Sequence, residues 1–277
     1  MEINDIIINK RLILILKNLL NLPIEVSGQF EINTSFEIDI IGMFLSRSTH
    51  VTFYPTGNIL FHSHPGDTNI NQIFWPPSDM DYFGTVNNFI LYDKDPYEII
   101  ITKEGIYVYR LSDEWKDSLI INIKKTNKKN YEDMLSYWQI DLAAYGLLYN
   151  GNIDLIKQIS EQSTHEYSKK IYTNMLKLKN NKFTFNDYKE KILELGFIID
   201  LYKWPDNDEN IKIKNNIPLN KLYSNNILNW ETSGSNNDMY YRNNYLFDHE
   251  INTSYNQHKG LLDEYNEEFE QYKKKIN

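Results

Sequence analysis

The segment "ILFHSHPGDTNINQIFWPPSDMDYF", Ile59 to Phe83, decides how this chain is read. Its first part, "ILFHSH", follows the turn-forming "TGN" and reads as a β-strand. Alternate residues of a strand share a face, so His62 and His64 emerge side by side. Pro65 then stops the strand and turns the chain. At the far end, "PPSDMDYFGTVNNFIL" opens as a helix: two prolines, Ser78 at the N-cap, and an acid three residues later, close to a capping box. Strand, loop and helix cap account for each half separately. Together they put two imidazoles and several carboxylates within one short segment. Two such imidazoles suit a zinc ion, which needs a third ligand and keeps one position open for water when it is hydrolytic. The nearby donors are Asp67, Asp79 and Asp81.

Working outward, Leu12 to Leu22 reads as a helix ended by Pro23. "IEVSGQFEI" (24–32), "FEIDIIGMFL" (36–45) and "HVTFYP" (50–55) read as strands, and "YEIIITKEGIYVYRLS" (97–112) as a hairpin turning at "KEG". Helix, strands, helix and hairpin in that order predict an α/β fold with a mixed sheet flanked by helices. Beyond Asp113 the apolar residues fall at helical spacing through "YEDMLSYWQIDLAAYGLLYN", "NIDLIKQISEQ", "YSKKIYTNMLKLK" and "FNDYKEKILELGFIIDLY". Lys203 to His258 is rich in Asn, Ser and Tyr and reads as irregular, and "KGLLDEYNEEFEQYKKK" closes as a solvated helix. A soft boundary falls at 113–130. It divides the chain into residues 1–115, which hold the paired histidines, and a mainly helical extension over 116–277.

Composition bounds the function. The chain has 277 residues, enough for a sizeable core, and its mean hydropathy of −0.55 is that of a soluble protein. A net charge of −9 argues against sequence-independent nucleic-acid binding, which rests on cationic groups displacing counterions. With no cysteine there is no disulfide, thiolate ligand or thiol nucleophile, so any metal site rests on His, Asp or Glu. That composition suits a cytoplasmic or otherwise intracellular protein. The apolar run from Ile6 to Leu22 is broken by Lys10, Arg11 and Lys17, short of the ~18–20 residues of a membrane helix. His165 and His249 each begin H-E-x-x but lack the second histidine of a zincin motif, and no phosphate-binding glycine loop occurs.

The combination of Glu25, His62-Ser63-His64-Pro65 and Ser78-Asp79-Met80-Asp81 resembles the JAMM (MPN-plus) zinc metalloproteases, whose pattern is an upstream Glu, H-x-H-P and S-x-x-D. Glu25 opens a strand that carries Gly28, as the family's glutamate does. The resemblance covers about Leu12 to Ser112, includes the hairpin after the helix, and is nearest to versions in large DNA viruses and prokaryotes. That makes a virus-encoded protein acting in the host cell one expectation. The spacer from Pro65 to Ser78 is longer than the family's and contains "IFW".

The resemblance implies a cytidine-deaminase-like layout for the sheet and helices. It implies zinc held by His62, His64 and Asp81, with Glu25 as general base and then acid, and Ser78 as donor to a tetrahedral oxyanion. Glu31 and Glu37 are rivals for the base and rank lower, for neither has the following glycine at the right offset. The implied activity is that of an isopeptidase removing ubiquitin or a ubiquitin-like protein. A non-catalytic MPN-type scaffold, with the helical half docking a protein partner, is the alternative, although such members generally lose the ligands retained here. A DNA-repair-associated relative is a third reading, and the acidic balance counts against it.

Overall fold

A computed structural model describes residues 5–22, 25–33, 35–45, 59–64, 76–92, 97–118, 128–178, 183–207 and 209–215. In chain order the elements are β1 (Ile6–Ile8), α1 (Lys10–Leu19), β2 (Val26–Ile32), β3 (Ile38–Leu45), β4 (Ile59–Ser63) and α2 (Asp79–Tyr92). There follow β5 (Tyr97–Ile101), β6 (Gly105–Leu111), a short helix α3 (residues 113–118) and α4 (Lys128–Tyr149). The last are α5 (Ile153–Gln162), α6 (Glu166–Leu178), α7 (Phe185–Glu194), β7 (Phe197–Lys203) and β8 (Ile211–Ile213).

Six strands form one sheet in the order β3-β2-β4-β5-β6-β7. Only β4 and β5 run parallel, and α2 is the crossover between them. The expected mixed α/β architecture with a mixed sheet flanked by helices is present. One face of the sheet is dry. Val26, Phe30, Phe61, Ile99, Ile101 and Val108 pack there against α1 and the small β1–β8 ribbon. The other face carries α2, α4 and α7, with Tyr82, Trp138, Leu142, Tyr188 and Ile192 against Ile100, Tyr107, Tyr109 and Phe197. A third cluster joins α4, α5 and α6 through Leu147, Ile156, Tyr172 and Met175.

Three sequence expectations change. "FIIDLY", which the helical spacing assigns to the helical tract, forms β7 together with Lys203 and pairs along its length with β6. Gly196 explains the switch: it follows the α7 C-cap Leu195 at φ +95, and a side chain there would collide with the Trp115 ring. Ile211–Ile213, within the tract expected to be irregular, forms β8 and pairs with β1. The division at residues 115 and 116 is crossed by packing, because β7 completes the sheet and α4 and α7 cover its site-bearing face. "HVTFYP", most of the Pro65–Ser78 spacer and the closing helix lie outside the described residues. No helix among the described residues is long and apolar enough to cross a membrane.

Candidate metal centre

Strand β4 ends where α2 begins, and this is where the histidines and Asp81 meet. The antiparallel register sets Ser27 of β2 opposite His62, and the parallel register sets Ile100 of β5 beside it. Phe61 faces the dry core, so its neighbours Leu60 and His62 face α2. His64 follows on that same side, just past the carboxyl end of β4, and its backbone N–H donates to the Ile101 carbonyl at 2.9 Å. Helix α2 delivers its N-terminus to the same end of the sheet. Crevices beyond the carboxyl ends of parallel strands are where open α/β sheets commonly place ligands.

The first turn of α2 is held by a capping box. The Ser78 backbone N–H and hydroxyl both donate to Asp81 Oδ2, at 2.6 and 2.8 Å, and the Asp81 N–H returns to Ser78 Oγ at 3.3 Å. Asp81 Oδ1 is left to face His62 Nε2 at 3.2 Å, while Oδ2 lies 3.5 Å from His64 Nε2. The two Nε2 atoms are 3.1 Å apart. A tetrahedral ion with ligand bonds of ~2.0–2.1 Å has ligand–ligand edges of roughly 3.3–3.4 Å. The imidazoles are 3.1 Å apart, and each lies 3.2–3.5 Å from one of the two Asp81 oxygens, so the two imidazoles and one carboxylate oxygen are near enough to share one small cation. His62, His64 and Asp81 are the group among the described residues that can hold a metal ion in this way. Their side chains are 11–18% exposed, shielded but reachable.

The electrostatics follow from the proximity. Burial opposes charge on His62, yet the Asp81 carboxylate outweighs it and the imidazole is held above its ordinary value. Burial likewise opposes charge on Asp81, but the two imidazoles hold its carboxyl well below the usual range. The α2 N-terminus adds its own preference for a negative group.

Glu25 lies just ahead of β2, and continuing the β2–β4 register sets it opposite His64. The Val26 N–H donates to Ser63 Oγ at 2.9 Å, which ties the start of β2 to the histidine segment. Burial pushes the Glu25 carboxyl up to about 8; His64 pulls against that shift and Asp81 adds to it. Glu31 and Glu37 lie at the other end of the β2–β3 pair, near the turn around Asn33, and Glu31 is exposed. Asp79, a rival third ligand, accepts a hydrogen bond at 2.8 Å from Gln139 of α4. Asp67 lies outside the described residues.

Two neighbours were not foreseen. Glu98 of β5 is 7% exposed inside an apolar strand, and Thr85 of α2 is 1% exposed beneath Asp81. A lone acid in the otherwise apolar run "YEIII" was the available signal. The C-terminal half also braces α2: the Tyr82 and Tyr188 hydroxyls lie 2.9 Å apart in the core, and Gln139 grips Asp79. Comparison with known proteins found no matching family model, no matching curated protein and no matching solved structure.

Proposed function

We propose that the chain is a zinc-dependent metallopeptidase, and that the JAMM-like spacing of its motif reflects isopeptidase chemistry on ubiquitin or a ubiquitin-like conjugate. The observation that carries this is the convergence of His62, His64 and Asp81 close enough to share one ion, with Glu25 adjoining. When bound, zinc supplies a lowered water pKa and polarisation of the scissile carbonyl. The chain's own residues do the rest. Glu25 takes the proton from the attacking water and returns it to the leaving amine, work typically worth 10²–10⁴-fold. Positive charge held by the three ligands would draw the Glu25 carboxyl back toward its ordinary range, where it serves as a base.

Ser78 has two duties in this scheme. Its hydroxyl donates to Asp81 in the resting arrangement. To serve an oxyanion it turns toward substrate, while its backbone N–H keeps hold of Asp81 Oδ2. One such donor is worth ~2.7–4 kcal/mol in the transition state.

The test is direct. Zinc-loaded protein is incubated with diubiquitin chains and with small ubiquitin-like conjugates, beside Glu25→Gln. The expected result is cleavage by the wild type and a loss of about 10²–10⁴-fold in the variant with zinc retained. A wild type that holds zinc and cleaves none of these substrates refutes the isopeptidase reading.

A further inference from the structure

The candidate ligands come from two elements, so the centre is only as well defined as the placement of α2 against β4. The bonds between Ser78 and Asp81 settle where the carboxylate lies within α2, but not where α2 itself lies. Successive helical residues point about 100° apart, so the first turn presents its side chains in different directions. Asp81 turns to the histidines, and Met80 is 49% exposed. Asp79 turns to α4, where the Gln139 amide meets it.

Gln139 Nε2 donates to Asp79 Oδ2 at 2.8 Å and lies 3.1 Å from Met80 Sδ. A carboxylate only accepts, so the amide nitrogen is the atom that must face it. Asp79 opens α2, and Asp81 stands two residues on. One turn is thus fastened on two sides, to α4 through Asp79 and to the histidine strand through Asp81. The post at the α4 end is firm. Trp138, next to Gln139, stacks on Phe197 of β7 at 5.3 Å, and its indole N–H donates to the Leu195 carbonyl at 2.7 Å. Gln139 therefore projects from a point of α4 that is anchored to the sheet.

We propose that Gln139 is a positioning residue of the metal centre: its hydrogen bond to Asp79 holds the first turn of α2 where Asp81 reaches His62 and His64. The helical half of the chain thereby sets the affinity for the ion. This rests on the metal-centre reading given above, whatever reaction the centre performs.

The experiment measures zinc affinity by competition titration, and thermal unfolding of the metal-free protein, for the full chain and its variants. Gln139→Met keeps the length and removes the donor. It is expected to weaken zinc about 10-fold, the lower end of what loss of an outer partner costs a metal site. Gln139→Glu sets two carboxylates against each other and is expected to lose at least as much. Adding Asp79→Asn to Gln139→Glu exchanges donor and acceptor across the same contact, and is expected to restore affinity to within about threefold of wild type. Tyr167→Phe removes a different tie on α4, from the Tyr167 hydroxyl to Asp141 Oδ2 at 2.9 Å, and is expected to bind zinc as wild type does. Zinc affinity within about twofold of wild type in Gln139→Met overturns the role of Gln139. So does a double variant no tighter than Gln139→Glu alone. So does a loss of affinity that follows metal-free unfolding temperature in Gln139→Met and Tyr167→Phe alike, which marks a general loosening of α4. A wild type that takes up no zinc overturns the metal centre itself, and the role of Gln139 with it.

Discussion

The chain contains the same helix cap twice, and only one copy has company. At α7, Thr184 and Asp187 form a capping box: the Thr184 N–H and hydroxyl donate to Asp187 Oδ2 at 2.7 and 2.6 Å, and the Asp187 N–H returns at 3.3 Å. At α2, Ser78 and Asp81 make the same three bonds. Asp187 is fully exposed, and its carboxyl is lowered by the Thr184 bonds alone. Asp81 is lowered against burial by two histidines, His62 in β4 and His64 just past its end. The cap fixes the aspartate, but it is the strand opposite that turns a helix start into a ligand set. The S-x-x-D half of the motif is therefore uninformative by itself, and H-x-H supplies its meaning.

The largest expected effect breaks the symmetry at the aspartates. Asp81→Asn should abolish stoichiometric zinc binding, a greater loss than the ~10–100-fold of outer-group changes. Asp187→Asn should bind zinc as wild type does. Metal analysis after loading and desalting reads both.

Next come the caps. Ser78→Ala and Thr184→Ala should each cost about 1 kcal/mol of stability in urea unfolding. Only Ser78→Ala should also weaken zinc, by about 10-fold or more, because the Asp81 carboxylate loses the hydroxyl and keeps only the Ser78 backbone N–H. Equal zinc affinity in the two variants would show that the cap does not orient the ligand.

The pH responses should differ as well. Zinc needs neutral imidazole, so affinity should fall as pH drops through the raised value of His62. In the metal-free protein, burial raises Glu25 to about 8 and Glu98 to about 7. Between the ordinary carboxyl value and these, the folded state holds more protons than the unfolded state, so stability declines as pH rises through that window. The His62 contribution behaves alike, present at low pH and lost as pH rises through its raised value. Asp187, being lowered, contributes above its ordinary value and changes nothing there. Glu98→Leu, which removes one of these groups, should therefore gain stability relative to wild type from pH 5 to pH 8, whereas Asp187→Asn should show no such trend. Urea unfolding at the two pH values measures it.

The site was legible in the sequence to the extent that its chemistry is local. Pro65 and Ser78 bound a strand end and a helix start, and alternation places His62 and His64 on one face. What sequence could not supply was contact across the sheet. Glu98 comes onto the face that carries His62 only through the β4–β5 register, and Gln139 reaches Asp79 from sixty residues away. The fold follows the same rule. Strands β2 to β6 announce themselves by β-branched runs, but β7 continues a helical pattern and is switched by the single Gly196. The three-residue strands β1 and β8 are too short to show a period and exist because each pairs with the other. The change of composition near residue 115 suggests a domain edge, and the tyrosine pair Tyr82–Tyr188 spans it through the core.

The claim that His62, His64 and Asp81 form one metal centre is tested most directly by the zinc content of the wild-type chain after loading and removal of free ion. One zinc per chain is expected. A wild-type chain that retains none would contradict it.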